Sequence, residues 1–301
     1  MVGSAILRTL ASKGYKHLLA PTSSELDARD SPKVDAYLEK HRPQVVVIAA
    51  ARVGGILAND TYPADFIYDN LMIEANLIHG AHKIDAEKLL FLGSTCIYPK
   101  LAPQPLKEEY LLSGPLEPTN EWYAVAKIAG IKMCQAYQLQ HGRNFISAMP
   151  TNLYGPNDNF DLEKSHVLPA LMRKFHDAKV NGSESATVWG SGKPRREFLH
   201  VDDCAAACVY LLENYSQPEI VNIGVGEDLS ILDLAQIVKS TVEFEGELTF
   251  DSSKPDGSPR KLVDVTKINS LGWKASISLE AGVKNTYAWF LEQSARETLR
   301  L

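Results

Sequence analysis

The stretch Leu89-Leu90-Phe91-Leu92-Gly93-Ser94-Thr95-Cys96-Ile97-Tyr98 decides how the chain is read. Its first four residues form a continuous apolar run, the pattern of a parallel strand buried on both faces. Ser94 and Cys96 then fall at the strand's carboxyl end, the edge where open α/β sheets bind ligands. Downstream, residues 122–137 follow a helical pattern on which Tyr123 and Lys127 stand four apart, on one face. An ammonium beside a phenol favours the phenolate and so lowers the phenol's pKa. A tyrosine tuned in this way passes a proton to a carbonyl oxygen while a serine opposite holds that oxygen. The chemistry expected is movement of hydride to or from a carbonyl carbon. A tyrosine and a lysine at this spacing are common in helices, one packed and the other solvated. The serine at a strand end is what strengthens the catalytic reading.

Working outward, the chain alternates helix and strand. A helical pattern over Ala5–Lys13 ends at Gly14, and a strand is expected at Lys16–Ala20. Residues 32–41 read as a helix and the β-branched run Val45–Ala49 as a buried strand. The small-residue loop Ala50–Gly55 follows, either a ligand-approach loop or a tight strand-to-helix turn. A long helix spans Pro63–Ile84, a strand Lys88–Leu92, and the proline-rich Pro99–Pro118 reads as an irregular surface excursion. Phe145–Met149 is a strand and Pro150–Pro156 a loop at its carboxyl end. Such alternation predicts a doubly wound parallel sheet over a first domain, residues 1–155.

From 156 to 301 the elements shorten and interleave, which predicts mainly a smaller α/β substrate domain with segments returning to the first. Helices are expected over 170–178, after Asp203, over 231–242 and over 278–291, and short strands near Thr187, Val221 and Leu248. Lys174, Arg196, Arg260 and Lys261 carry positive charge that could face a pyrophosphate, though any one of them is as readily a solvated cation. Trp189 could stack on a base or pack in a core.

Composition excludes several classes. A net charge of −6 makes no electrostatic case for nucleic acid or an anionic membrane surface. No apolar run approaches the roughly 20 residues that span a bilayer, and no signal pattern opens the chain. The cytoplasm is therefore the expected compartment, and the sequons at Asn59, Asn181 and Asn214 are expected to stay unmodified. The cysteines Cys96, Cys134, Cys204 and Cys208 form neither a disulfide framework nor a metal cluster, and Cys204 and Cys208 read as core. His79 and His82 lack a third metal ligand, so no metal is expected.

Longer motifs carry a resemblance. Phe91–Lys100, Glu117–Lys132, Pro150–Phe160 and Arg196–Asp203 together resemble the GDP-L-fucose synthase family, its plant members above all, within the extended short-chain dehydrogenase/reductases. The likeness runs from residue 1 to about residue 290. It implies 3,5-epimerisation and then NADPH-dependent 4-reduction of GDP-4-keto-6-deoxy-D-mannose, with NADP(H) as cofactor, a GDP-sugar as substrate and a homodimer as assembly. By motif, it implies a reductase triad of Ser94, Tyr123 and Lys127, and a proton-moving pair of Cys96 and His166. It implies cofactor contacts from Gly3, Leu92, Gly93, Ser94, Thr95, Lys127, Pro150, Thr151, Asn152, Leu153 and His166. Lys174, Trp189, Arg196 and Asp256 would contact substrate. The chemistry is coherent, since inverting a centre beside a ketone needs acid/base groups on two faces, and thiols and imidazoles titrate near neutrality.

Departures from the family's pattern are visible. Of its G-x-x-G-x-x-G loop, only Gly3 is present, and the preceding central strand is absent, which leaves two neighbours without backbone partners. The expected fold is thus a Rossmann-type sheet lacking its usual first strand. Lys174, Thr95 and Asp161 stand where many members have Arg, Ser and His. The alternatives are a cofactor-impaired homologue acting as a partner subunit, or another nucleotide-sugar epimerase or dehydratase.

Overall fold

The computed structural model describes residues 1–254 and 256–299. In chain order, helices α1 (Val2–Ser12) and α2 (Ser31–His41) precede strand β1 (Val45–Ile48). Helices α3 (Ile56–Thr61) and α4 (Pro63–Lys83) lead to β2 (Lys88–Leu92), and α5 (Glu121–His141) leads to β3 (Phe145–Pro150). Then come β4 (Asn152–Tyr154), α6 (Val167–Val180), β5 (Ser185–Trp189), β6 (Arg195–Arg196), β7 (Phe198–His200) and α7 (Val201–Asn214). The chain continues through β8 (Val221–Ile223), β9 (Leu229–Ser230), α8 (Ile231–Val242), β10 (Glu247–Asp251), β11 (Arg260–Lys261), α9 (Thr266–Ser270) and α10 (Leu279–Ala295).

The main sheet is parallel in the order β1-β2-β3-β8. Side chains alternate along each strand, and both faces are covered. Leu89 and Phe91 of β2 join Val46, Ile48, Phe145 and Met149 beneath α2, α4 and α5. Leu90 and Leu92 join Ile146, Ala148, Val221 and Ile223 beneath α1 and α7, where Ala5, Ile6, Cys204 and Cys208 pack. A third cluster, from Tyr154 and Phe160 to Val283 and Phe290, holds α6, α8 and α10 around β5 and β7. The segment carrying β8 thus joins the main sheet from the second half of the chain. All four cysteines are buried and free.

Three expectations give way. Lys16–Ala20 forms no strand. No described strand lies beside it, so an extended segment there would find no ladder for its N–H and C=O groups, and it stays irregular and mostly exposed. The sheet accordingly ends at β1, where Val45 is 46% exposed. Residues 99–118 are mostly exposed and irregular apart from a 3-10 turn at Glu108–Tyr110, but they do not merely skirt the surface, because Leu106 is buried and bridges Val263, its N–H donating to Leu262 O at 2.7 Å. Residues 150–156 are not all loop, since β4 pairs in parallel with β7.

Helix ends follow local chemistry. Gly14 and Gly142 take positive φ after α1 and α5. Asp30 caps α2 by accepting the Lys33 N–H, and Ser230 and Asp233 form a capping box on α8. Helix α6 begins three residues earlier than the pattern suggested, because Pro169 sits in its first turn, where a missing N–H costs nothing.

Candidate active site

The carboxyl edge of β1, β2 and β3 gathers the predicted residues. After Leu92 the chain turns at Gly93, where a Cβ would lie 2.4 Å from Met149 Sδ; only glycine allows β2 and β3 to end this closely. Ser94 then caps a 3-10 turn, Thr95–Ile97, accepting the Cys96 N–H at 3.4 Å. This turn folds Cys96 inward, 5% exposed, with its thiol within hydrogen-bonding reach of the Ser94 hydroxyl. Burial pushes the thiol's pKa up, opposed by Ser94 and by the positive charges of Lys261 and Lys127.

Helix α5 supplies Tyr123 and Lys127. The Tyr123 ring packs edge-on to Phe66, centroids 6.5 Å apart. Its phenol is held well above its ordinary pKa, first by burial and then by the nearby thiol of Cys96 and carboxylate of Glu74. This reverses the expected lowering by Lys127. The ammonium lies 5.8 Å from the Tyr123 ring centre, but it is turned to Glu74 Oε1 at 2.9 Å, and desolvation of the phenolate dominates. Tyr123 is therefore a neutral phenol, a proton donor. Ser94, Cys96, Tyr123 and Lys127 are brought to one place.

His166 follows a segment that touches the loop after β1. It is the exposed N-cap residue of α6, and its ring makes no hydrogen bond among the described residues. The segment before it is pinned by Asp161, whose Oδ1 accepts the Glu163 and Lys164 N–H groups at 2.9 and 2.8 Å. Asp161 thus has a structural task of its own at a family histidine position. Lys164 O in turn accepts the Gly55 N–H at 3.2 Å. The buried Asn59 braces that loop by donating to Gly54 O and Gly55 O, and Gly54 lies against Phe66, the neighbour of Tyr123. No direct contact joins His166 to Cys96.

The third strand of this edge carries Pro150 at its end, followed by Thr151, Asn152 and Leu153. Thr151 N–H donates to Ile223 O at 3.0 Å, tying the segment to β8. Asn152 Nδ2 donates to Glu197 O at 2.9 Å. Glu197, 0% exposed, accepts the N–H groups of Val225, Gly226 and Val263 at 2.6, 2.7 and 3.0 Å. It knots together the segments that end β3, β8 and β11. Beside the same edge, Gly3 in α1 lies near Ala49, a Cβ there being 3.8 Å away. The first turn of α1 has no acidic residue and no side-chain cap. Amides of that kind next to a small-residue sheet edge suit the phosphates of a dinucleotide.

The smaller half brings up the cations. Lys174 on α6 donates to Thr187 O at 3.4 Å, and its ammonium sits 4.3 Å from the Trp189 ring centre, with Lys254 at 5.0 Å. Trp189 is 40% exposed, so it is not a core residue. Arg196 NH2 donates to Asp256 O at 3.4 Å, and Asp256 accepts the Ser191 N–H and Oγ–H at 2.8 and 2.7 Å. Burial lowers the Arg196 pKa, against the pull of Asp256 and Glu117. Arg260 is not free for a pyrophosphate, because Asp228 holds it together with Arg195. Neighbours on a strand point to opposite sides, so Lys261 turns inward instead, half-buried near Cys96 and Arg196. Its cationic type was visible in the sequence and its direction was not. Glu74 and Glu197 carried no sequence signal. His79 and His82 join no metal cluster among the described residues and pack with Tyr137 and His141.

Comparison with known proteins gives the family. A profile of the NAD dependent epimerase/dehydratase family matches residues 1–224. GDP-L-fucose synthase 1 of Arabidopsis thaliana is 59% identical over 292 residues, 97% of this chain and 90% of that one. The GDP-L-fucose synthase of Escherichia coli strain K12 is 55% identical over 305 residues, 98% of this chain and 95% of that one. A GDP-L-fucose synthetase from Naegleria fowleri, solved bound to NADP, superposes with a TM-score of 0.91 at 32% identity, over 100% of this chain and 93% of that one. A GDP-6-OMe-4-keto-L-xylo-heptose reductase from C. jejuni gives 0.92 at 39% identity, over 97% and 95%. The chain belongs to the NAD dependent epimerase/dehydratase family and, within it, to the GDP-L-fucose synthases.

Proposed function

We propose that the chain is a working GDP-L-fucose synthase, converting GDP-4-keto-6-deoxy-D-mannose to GDP-L-fucose by 3,5-epimerisation and 4-reduction. The observation that carries this reading is the convergence of Ser94, Cys96, Tyr123 and Lys127 at the carboxyl end of β2 and on the facing helix α5. Leu92–Thr95, Lys127, Pro150–Leu153, His166 and Gly3 would hold NADP(H). That cofactor, when bound, supplies a hydride for C4.

The residues of the chain do the rest. Tyr123, kept neutral by its surroundings, donates its proton to the C4 oxygen as the carbonyl becomes an alcohol, and Ser94 Oγ donates a hydrogen bond to the same oxygen. The same two groups stabilise the enolate that forms when a proton leaves C3 or C5. Cys96 and His166 remove and return those protons from opposite sides. Burial keeps the Cys96 thiol protonated, which fits it as the acid of the pair. Trp189, Lys174, Arg196 and Asp256 would take the GDP portion. The break near residue 155 is proposed as the boundary between cofactor and substrate domains, on the change from the first two core clusters to the third. A homodimer through α4 and α5 is proposed on their exposed Tyr68, Trp122, Val125 and Leu139. Among the described residues no helix is long and apolar enough to cross a membrane; a cytoplasmic location is proposed.

The test is incubation of the purified chain with GDP-4-keto-6-deoxy-D-mannose and NADPH, following NADPH oxidation and the sugar product. Formation of GDP-L-fucose is expected. NADPH binding without turnover, or no binding at all, would turn the reading towards a non-catalytic partner subunit.

A further inference from the structure

Lys127 and Glu74 form an ion pair of 2.9 Å between α5 and α4, with side chains only 2% and 1% exposed. The carboxylate sits in a slot that exists because residue 130 is glycine. A Cβ there would lie 2.8 Å from Glu74 Oε2 and 2.4 Å from Phe91 Cζ. No hydrogen-bond donor other than the Lys127 ammonium reaches either oxygen among the described residues. The ammonium is likewise enclosed, 4.6 Å from the centre of the Phe91 ring and 5.8 Å from that of Tyr123. The other titratable groups facing the pair are Tyr123 and Cys134 from α5 and Cys96 from the turn after β2. Each of these is neutral or held neutral by burial, so the carboxylate is the one counter-charge in the slot.

We propose that Glu74 is a positioning residue for the reductase, holding the Lys127 ammonium charged and aimed as the medium becomes alkaline. It touches neither the site of the ketone nor the residues proposed to bind GDP, and it acts through Lys127. A buried ammonium with no counter-charge gives up its proton more readily than a paired one. The carboxylate, once formed, supplies that counter-charge at 2.9 Å. Burial raises the Glu74 pKa to about 7, opposed by the attraction of Lys127. Below that point the carboxyl is neutral. Above it, the carboxylate forms and holds the ammonium in place.

This inference rests on the reading of Lys127 as part of the reductase. The test compares kcat for NADPH oxidation with the 4-keto sugar nucleotide from pH 6 to pH 9 in the wild type, Glu74→Gln and Glu74→Asp. Glutamine copies the neutral carboxyl, so the ratio of variant to wild type is expected near unity below pH ~7 and to fall at least about tenfold by pH 9. The KM for the sugar nucleotide is expected to stay within about twofold, since no substrate contact is touched. Aspartate keeps the charge but withdraws it by one methylene, so its ratio bends the same way by only about two- to fivefold. If Glu74→Gln does not fold, the aspartate variant carries the test. A ratio that is flat across the pH range, in whichever variant folds, overturns the proposal, because a purely structural role lowers stability without adding an alkaline limb. A wild type that never oxidises NADPH with this substrate refutes the functional reading instead.

Discussion

Glu197 offers the sharpest test of how the site is held. One of its oxygens accepts from Val225 and Gly226, the other from Val263, and the residue is fully buried. In Glu197→Gln the amide oxygen can keep the first two bonds, but the NH2 group then faces the Val263 N–H, donor against donor. Leaving one buried N–H unpaired costs about 1–3 kcal/mol. Glu197→Ala strips all three, and with partial relaxation and water entry about 3–5 kcal/mol is expected. Unfolding entropy of about 2.1 cal/mol/K per residue over 301 residues makes 4 kcal/mol a fall in Tm of about 6 °C. The glutamine variant should fall by about 2–5 °C. Calorimetry or urea melts read the effect, and the KM for the sugar nucleotide should rise in step, because Arg196 and Asn152 are tied to the same knot. A glutamine variant as stable as the wild type would show that the three N–H groups have other partners, and the account of the knot would fail.

Three further outcomes are expected. Tyr123→Phe should lower NADPH oxidation by about 10²–10⁴-fold while leaving the fold intact by circular dichroism; retained turnover would remove the phenol as proton donor. Cys96→Ser should spare the reduction but slow solvent-deuterium incorporation at C3 and C5, read by mass spectrometry of the product, and unchanged exchange would remove the thiol from epimerisation. Because burial raises Glu74 from 4.5 to about 7, its contribution to stability is full below pH ~4.5 and is lost as pH climbs through ~7. Urea midpoints of the wild type should therefore decline over that window relative to Glu74→Gln, and parallel midpoints would contradict the raised pKa.

The parts of this molecule legible in sequence were those fixed by local rules. The run before Gly93 reads as a doubly covered strand, and α5 could be placed by its periodicity. The four-residue step from Tyr123 to Lys127 followed from helical geometry alone. What escaped was decided by distant neighbours. Lys16–Ala20 has a strand's composition, yet a strand exists only where another lies alongside, and none of the described residues offers one. Tyr123 was expected to be acidified by the lysine four residues on, but the ammonium is claimed by Glu74, a residue 53 positions earlier on another helix. Arg260 and Lys261 look equivalent in the sequence and face opposite ways in the fold, one to Asp228 and the other to Cys96. Asp161 looked like an unexplained exchange for histidine until its two backbone bonds were seen.

The sealed thiols have a practical corollary. Cys134, Cys204 and Cys208 are 0% exposed, and burial pushes Cys134 up to about 12. A thiol is attacked by alkylating or disulfide reagents only as thiolate, and only when they can reach it. Modification of these three sulfurs therefore has to await an opening of the core, so in dilute reagent the rate of mass gain is an intrinsic clock for unfolding, with no dye or tag attached.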